Sequence, residues 1–295
     1  MSLCPICGGC QWRVAYRGPI RIGRFGNFSP ESHDVQVCEG CGVQKLPASI
    51  TDLEAYYKGA EYREEVDAGA AAADFYRMHD AEQARNIGLS GTAYFRGKIV
   101  ADIGCGAGSF LDAVQGFASK SIAIEPSVEF QTELRRKSYE TFSYPEEAHT
   151  MWAGKVDIAV CFSVIEHVAE PVAFLRSIRE LLAPGGRCIL TTPNSRDVLL
   201  DSLPEVYPSF FYRKVHLWYF DQTSLQRAFQ AAGFAACKVD GHHRFGLSNF
   251  LLWLREKRPA GQTSVASITP AMDSVWKSEL ERTLACDYLF ASAMA

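Results

Sequence analysis

The chain has 295 residues, of which 47% are hydrophobic and 22% are charged, and its net charge is −4. This composition is typical of a globular protein with one large domain and an accessory module, and it excludes a chain that is basic throughout, as many nucleic-acid-binding proteins are. No apolar run approaches the roughly 18 residues that a membrane span requires, so we expect a cytoplasmic protein without a membrane-spanning segment.

The N-terminal 50 residues contain two pairs of cysteines with the spacing Cys-x-x-Cys. This spacing is typical of a tetrahedral zinc site. The long loop between the pairs is a minor obstacle, because closure costs only about 0.6 kcal/mol per doubling of length, whereas structural zinc contributes roughly 10 kcal/mol or more. A redox-active or unligated set of thiols is the alternative. The predicted ligands are Cys4, Cys7, Cys38 and Cys41.

The following segment, up to Arg96, has the composition of helix, and a strand–helix alternation begins at Lys98. Such alternation predicts an α/β domain with a mainly parallel sheet. We expect three parts: a zinc-ribbon module over 1–50, a helical connector or lid over 51–96, and the α/β domain over 97–295. The predicted strands are 98–102, 120–125, 156–162, 187–192, 235–240 and 287–293, with the last one antiparallel at the sheet edge. The predicted helices begin at Ser109, Ser127, Pro171, Thr223 and Leu247.

The turn after the first of these strands is rich in glycine. A glycine-rich turn that leads from a strand into a helix binds polar ligands through its backbone. The dinucleotide pattern G-x-G-x-x-G would need a third glycine at position 109, which is Ser109. Asp102 precedes the loop, and Glu125 ends the next strand, where an acid can accept hydrogen bonds from a ribose. The pair of acids favours S-adenosylmethionine over NAD. The glycines are Gly104, Gly106 and Gly108.

Four segments in the expected order resemble the motifs of class I S-adenosylmethionine-dependent methyltransferases: 100–108, 122–126, 157–168 and 182–194. The resemblance implies a Rossmann-like seven-stranded sheet, with Asp102 at the methionine end of the cofactor and Glu125 at its ribose. The residues around 139–147 offer no clear counterpart of the adenine contact. The cofactor-binding residues that the resemblance implies are Asp102, Gly104, Cys105, Gly106, Gly108, Glu125, Pro126, Phe162 and Ser163.

The layout of the cysteine ribbon followed by a tyrosine-rich segment resembles the methyltransferases of sugar, polysaccharide and secondary-metabolite pathways. The implied acceptor is therefore a small molecule, most plainly a sugar or nucleotide sugar. For an oxygen or carbon acceptor the reaction needs a base. His167 is the first candidate, and each histidine also has a purely structural interpretation. The other candidates are Glu166, His216 and Tyr62.

Three other functions stay open at this point. Quinone O-methyltransferases have a Glu-x-x-Glu-His arrangement here, but Ser163 occupies the first glutamate position. A ribosomal or transfer RNA methyltransferase could use the ribbon to bind RNA, although residues 1–50 carry only five basic against three acidic side chains. The third function is that of a catalytically inactive scaffold. The complete glycine loop argues against it. The sequence does not indicate the oligomeric state.

Overall fold

The computed structural model describes residues 3–23, 26–47, 53–59 and 72–295. Within these ranges the strands form one four-stranded and one seven-stranded sheet. The strands are β1 (Trp12–Gly18), β2 (His33–Cys38), β3 (Gln44–Lys45), β4 (Ile99–Ile103), β5 (Lys120–Ile124), β6 (Glu140–Phe142), β7 (Val156–Phe162), β8 (Leu182–Pro193), β9 (Trp218–Tyr219), β10 (Ala236–His242) and β11 (Tyr288–Met294).

Helices cover both faces of the larger sheet. Two short 3₁₀ helices, Thr92–Tyr94 and Ile165–His167, supplement them. The α-helices are α1 (Leu53–Lys58), α2 (Ala72–Ser90), α3 (Ser109–Val114), α4 (Val128–Arg136), α5 (Pro145–Trp152), α6 (Pro171–Leu181), α7 (Val198–Ser202), α8 (Tyr207–Phe211), α9 (Gln222–Ala231), α10 (Leu247–Glu256) and α11 (Pro270–Thr283).

The larger sheet has the order β10-β11-β8-β7-β4-β5-β6 among the described residues. Neighbouring strands from β8 to β6 are parallel, and the central strands β4 and β7 are almost entirely buried, as strands joined by crossover helices should be. The predicted α/β class and seven-stranded sheet are confirmed. The final strand is antiparallel as expected, but it lies between β10 and β8 rather than at the edge. Leu289, Ala291 and Ala293 are fully buried, whereas β10 is largely exposed and forms the edge.

Several local details differ from the sequence prediction, among them β6, α5, α7 and α8, which the sequence did not predict. Helix α9 begins at Gln222, one residue before the predicted start, because Asp221 is the N-cap and forms a capping box with Ser224. Pro184 and the two glycines after it lie inside β8, where the pairing with β7 is irregular. Helix α11 was not predicted, since Leu280 is its buried residue and its apolar periodicity is weak.

The smaller sheet joins the N-terminal residues to the rest of the chain. Its order is β1-β2-β3-β9, so its fourth strand comes from a segment that follows β8 in sequence. Val43, Leu217 and Phe220 are buried in one continuous core with the large sheet. Trp218 belongs to the same core. The cysteine-containing segment therefore packs firmly on the α/β fold, while the proposed boundary near residue 50 stays a prediction.

Candidate active site

A cavity of about 670 Å³ lies at the carboxyl ends of β4, β5 and β7. Open parallel sheets bind ligands at this edge because the strand order reverses there. Helices α1 and α2 cover the cavity with Tyr57, Phe75 and His79. Its size falls within the range of small-molecule sites. One end is formed by the glycine loop and Glu125, and the other by residues that follow β7 and β8.

The glycine loop requires glycine for two physical reasons. Gly104 and Gly106 have φ values of +75° and +55°, a region that side chains disfavour. A Cβ atom at Gly104 would also lie 2.5 Å from Cγ2 of Val164, and one at Gly106 would collide with the ring of Phe75. The backbone is therefore closely covered, and only glycine lets the turn leave β4 in this direction.

Glu125 ends β5 with its carboxylate fixed between two backbone donors. The Gly106 N–H donates to Oε2 over 2.8 Å, and the Ser127 N–H donates to Oε1 over 2.9 Å. Each carboxylate oxygen has a second lone pair, so the group can accept two further hydrogen bonds. Glu125 lines the cavity and is only 3% exposed. It is thus prepared to receive a pair of hydroxyl donors.

The other predicted cofactor residues divide into two groups. Gly104, Pro126, Phe162 and Ser163 line the cavity with Glu125. The remainder lie behind it in the strand and the loop. Burial and the charge of Glu125 raise the pKa of Asp102. The residues that do not line the cavity are Asp102, Cys105, Gly106 and Gly108.

The segment after β6 also reaches the cavity, although its sequence showed no clear counterpart of the adenine contact. Ser143, Tyr144 and Glu146 line it next to Glu125. Gln131 connects the two, because its Nε2 donates to the Glu125 carbonyl over 2.7 Å and to Ser143 Oγ over 3.1 Å. These residues can contact the base of a nucleoside whose ribose is held by Glu125.

Ser163 has an unusual backbone at the end of β7. Its φ of +56° is in the left-handed region, which costs a non-glycine residue of order 1 kcal/mol or more. Its Oγ lies 3.1 Å from the hydroxyl of Tyr288, and both residues line the cavity. The turn directs the following 3₁₀ helix, with Glu166 and His167, towards the second end of the cavity.

Glu166 is a buried acid that lines the cavity. The Thr192 hydroxyl donates to Oε2 over 3.0 Å, whereas Oε1 has no hydrogen-bond partner among the described residues. Burial raises the pKa of this carboxyl to about 7. Glu166 therefore changes its charge near neutral pH, which suits a group that accepts a proton.

His167 is oriented by hydrogen bonds at Nδ1. This nitrogen lies 2.9 Å from the Val215 carbonyl oxygen and 2.9 Å from the Tyr57 hydroxyl. Because a carbonyl oxygen can only accept, Nδ1 carries the proton and the lone pair is at Nε2. The arrangement resembles the one that prepares histidines as bases or as metal ligands.

His216 completes this cluster with its ring 4.7 Å from the ring of His167. Burial and the nearby His167 and Arg213 lower its pKa well below the usual histidine range, so it is neutral at pH 7. Arg213 Nη1 lies 3.5 Å from its Nε2. The donor atoms of Glu166, His167 and His216 lie within 4.8 Å of one another, close enough to ligate one metal ion.

A second cluster, apart from the cavity, consists of the four predicted cysteine ligands. Their sulfur atoms all lie within 4.8 Å of one another. The Cys4 and Cys41 sulfurs are 3.7 Å apart, and those of Cys7 and Cys38 are 3.5 Å apart. These distances exclude disulfides. None of the four lines the cavity among the described residues, so this cluster is a candidate for structure rather than catalysis.

Tyr62, a candidate catalytic residue, lies outside the described residues. The sequence predicted a connector or lid over 51–96 but not the contact of Tyr57, within it, with His167. Nor did the sequence indicate Arg213, Arg244 and Tyr288, which also line the cavity. They belong to loops and strand ends that meet only in the folded chain, so no local spacing could have found them.

A family model described as a methyltransferase domain matches residues 77–239. The chain belongs to this family. The match spans more than half of the chain and includes the glycine loop, Glu125, and the Glu166, His167 and His216 cluster. The chain is therefore an enzyme of the methyltransferase class, as the sequence predicted.

Curated relatives of this methyltransferase match part of their own length. The ubiquinone biosynthesis O-methyltransferase of Paraburkholderia phytofirmans is 30% identical over 129 residues, which are 41% of this chain and 56% of the relative. The enzyme of the same name from a Caulobacter species is 29% identical over 167 residues, 54% of this chain and 66% of the relative. The chain thus spans about half to two thirds of these relatives.

Solved structures share the fold at low sequence identity. A methyltransferase of Archaeoglobus fulgidus, described as SAM dependent, has a TM-score of 0.50 at 16% identity, covering 74% of this chain and 94% of its own. A chain from the complex of the Haloferax volcanii Trm112 methyltransferase activator with the putative methyltransferase has a TM-score of 0.52 at 16% identity, covering 84% and 99%. Among the described helices, none combines the length and apolarity needed to cross a bilayer.

The raised pKa of Glu166 predicts a pH-dependent cost to folding. Folding raises the pKa of this carboxyl from 4.5 to about 7, so the native state favours the protonated form. The free energy of unfolding therefore decreases as pH rises from 4.5 to 7. We expect the stability of Glu166→Gln to gain about 2.5 kcal/mol relative to the wild type between pH 5 and pH 8. Denaturant titration at both pH values measures this difference. The exposed Glu129→Gln should show no such gain, and an equal gain in the two variants would contradict the assignment.

Proposed function

We propose that this enzyme transfers a methyl group from S-adenosylmethionine to a hydroxyl group of a small acceptor. One observation carries the proposal: a single cavity joins a nucleoside-type cradle, formed by the glycine loop and Glu125, to the cluster of Glu166, His167 and His216. The first part suits the methyl donor, and the second suits removal of a proton from the acceptor.

The residues at the first end fit S-adenosylmethionine. The glycine loop has no room for side chains at Gly104 and Gly106. The carboxylate of Glu125, fixed by two backbone N–H groups, can accept hydrogen bonds from both ribose hydroxyls. Phe162 and Ser163 lie between the two ends of the cavity, where an aromatic face favours positive charge. When bound, the donor supplies an electrophilic methyl on a sulfonium.

His167 is the proposed base. Its Nδ1–H is fixed by the Val215 carbonyl, so Nε2 carries the lone pair that accepts a proton. Glu166 stands within 4.8 Å, and its negative charge above pH 7 stabilises the protonated imidazole. His216 stays neutral and shapes the same corner. A positioned base of this kind typically accelerates proton transfer by about 10²- to 10⁴-fold.

The acceptor is proposed to be a small hydroxylated metabolite. The order of cysteine ribbon, tyrosine-rich segment and methyltransferase fold supports a sugar or nucleotide sugar. The names of the relatives support a quinone-type phenol instead, since both of those described above are ubiquinone biosynthesis O-methyltransferases. Either acceptor has a hydroxyl that loses a proton during the transfer, so the same base serves both.

The N-terminal basic residues do not support the RNA alternative. Arg17 is paired with Asp34 at 2.6 Å, and Arg21 faces inward with a buried Nε. Lys45 lies over the ring of Trp12. Internal contacts therefore engage three of the basic side chains within the described ranges, and the exposed Arg13 is by itself a weak basis for binding to a phosphate backbone.

A metal-assisted version of the same reaction is the second candidate. The sequence argued against it because Ser163 replaces a glutamate, but in the fold His216 offers the third donor atom beside Glu166 and His167. Two imidazoles and one carboxylate suit zinc, iron or manganese better than magnesium. Such a metal would supply Lewis acidity at the acceptor oxygen.

A structural zinc ion in the cysteine cluster is also part of the proposal. Tetrahedral coordination with Zn–S bonds of about 2.3 Å places sulfurs about 3.8 Å apart. The observed 3.7 Å between the Cys4 and Cys41 sulfurs agrees with this value. The Gly9 N–H also donates to the Cys7 sulfur over 3.4 Å, as expected around a thiolate.

Glu125→Ala should weaken binding of S-adenosylhomocysteine by roughly a hundredfold or more. The variant loses two charge-assisted hydrogen bonds, worth about 1.5 kcal/mol or more each. Isothermal titration calorimetry measures the affinity, and Glu129→Ala on the exposed face of α4 is the matched control. Equal affinity of Glu125→Ala and wild type would remove the ribose contact, and absence of binding to the wild type would favour a scaffold.

His167→Ala should lower turnover by about 10²-fold or more while leaving the affinity for S-adenosylhomocysteine within threefold. The assay is transfer of labelled methyl groups to a panel of nucleotide sugars, catechols and RNA, with and without chelator. His149→Ala is the matched control, because His149 does not line the cavity. Unchanged turnover in His167→Ala would exclude it as the base, and activity that chelator abolishes would favour the metal-assisted version.

Purified protein should contain one zinc ion per chain by elemental analysis. The double substitution Cys38→Ser and Cys41→Ser removes two of four ligands, so we expect loss of the metal and a lower melting temperature. Cys10→Ser should keep both, because Cys10 is exposed and not part of the cluster. A protein that melts normally after complete removal of zinc would refute a structural role.

A further inference from the structure

Two arginines from distant parts of the chain lie side by side near the acceptor end of the cavity. Arg21 and Arg213 are joined by a parallel β-bridge. The Arg21 N–H donates to the Tyr212 carbonyl over 2.9 Å, and the Lys214 N–H donates to the Arg21 carbonyl over 3.0 Å. Residues paired directly across a bridge project to the same side, so two positive charges are held close together.

Neither arginine forms an ion pair with an acid within the described ranges, and Nε of Arg21 is buried without a hydrogen-bond acceptor there. Burial and the charge of Arg213 lower the pKa of Arg21 to about 10, so it still carries its charge at pH 7. Arg244 in the same cavity shows the usual arrangement, because Asp287 accepts from its Nε over 2.7 Å. The Cζ atom of Arg21 lies 4.2 Å from the centroid of the Phe210 ring, a contact that favours the cation but does not neutralise it. An enclosed charge without a counter-ion is costly, so the pair calls for an anion that none of the described residues supplies.

The position of the pair identifies which ligand would carry the anion. Arg213 lines the cavity, and its Nη1 lies 3.5 Å from Nε2 of His216. Tyr288, at the start of β11, lines the same region. Glu125 and the glycine loop are on the other half of the sheet, beyond β7. Arg213 therefore belongs to the acceptor end, and Arg21 stands next to it across the bridge without lining the cavity itself.

We propose that Arg21 and Arg213 form a binding subsite for an anionic oxygen group, a carboxylate or a phosphoryl group, on the methyl acceptor. Guanidinium groups match the geometry of such oxyanions with paired N–H donors. The assignment to the acceptor rests on the proposed function, whereas anion binding itself needs no methyl donor. The subsite would place the acceptor's hydroxyl beside His167 and would reject neutral analogues.

Calorimetric titration of the full chain, saturated with S-adenosylhomocysteine, tests this subsite with three probes: benzoate, inorganic phosphate and pyrophosphate. We expect saturable binding to the wild type and at least tenfold weaker binding to Arg213→Met and to Arg21→Met. Arg213→Lys keeps the charge but loses the fork of donors, so it should bind with intermediate affinity. Arg13→Met is the matched control, because Arg13 is an exposed arginine on β1.

Each outcome decides the proposal. Weaker binding confined to the Arg21 and Arg213 variants supports it, and a preference for benzoate or for phosphate identifies the anionic group. Equal weakening in Arg13→Met, or no saturable binding of any probe to the wild type, would overturn it. Loss of S-adenosylhomocysteine affinity in Arg213→Met would also overturn it, because the arginine would then hold the donor's own carboxylate. Failure of the wild type to bind S-adenosylhomocysteine would defeat the proposed function alone, since the anion probes can be titrated without it.

Discussion

Backbone pairing between β3 and β9 is the constraint on which the acceptor end of the cavity depends. Lys45 is paired with Trp218, and the Leu46 N–H donates to the Leu217 carbonyl over 2.9 Å. From the other side, the Leu217 N–H donates to the Glu166 carbonyl over 2.7 Å. The segment that carries Arg213 and His216 is therefore held between the N-terminal sheet and the 3₁₀ helix after β7. Folding of the cysteine-containing segment and assembly of the acid–base cluster are physically linked.

The two ends of the cavity are built in different ways. The glycine loop and Glu125 depend on two adjacent parallel strands and on hydrogen bonds over short sequence distances, such as that from Gly106 to Glu125. The acceptor end combines residues from α1, the 3₁₀ helix, the loop before β9 and the start of β11. The first end uses few segments and can keep one shape for a nucleoside. The second end combines many segments, and changes in any of them can fit it to a different acceptor.

This difference in construction explains how far the sequence could be interpreted. The alternation of strands and helices predicted the sheet, and Glu125 and His167 could be found because they follow strands directly. The hydrogen-bond partners of His167 could not be found in this way, because Tyr57 and Val215 approach it only after folding. The sequence also could not show that Arg21 and Arg213 are neighbours, because an isolated bridge between distant segments brings them together. The predicted position of β11 at the sheet edge was wrong for a related reason. A pattern of apolar residues shows that a strand exists but not which strands it pairs with.

The interior position of β11 has a consequence for synthesis on the ribosome. Leu190 in β8 pairs with Ala291, so β8 has an open edge until translation has passed β11. β10 is made earlier but reaches the sheet only through β11, so it too must wait for its partner. During that interval the nascent polypeptide exposes an unpaired apolar strand, the kind of surface that promotes aggregation and attracts chaperones. Premature termination before Tyr288 would leave this edge open permanently.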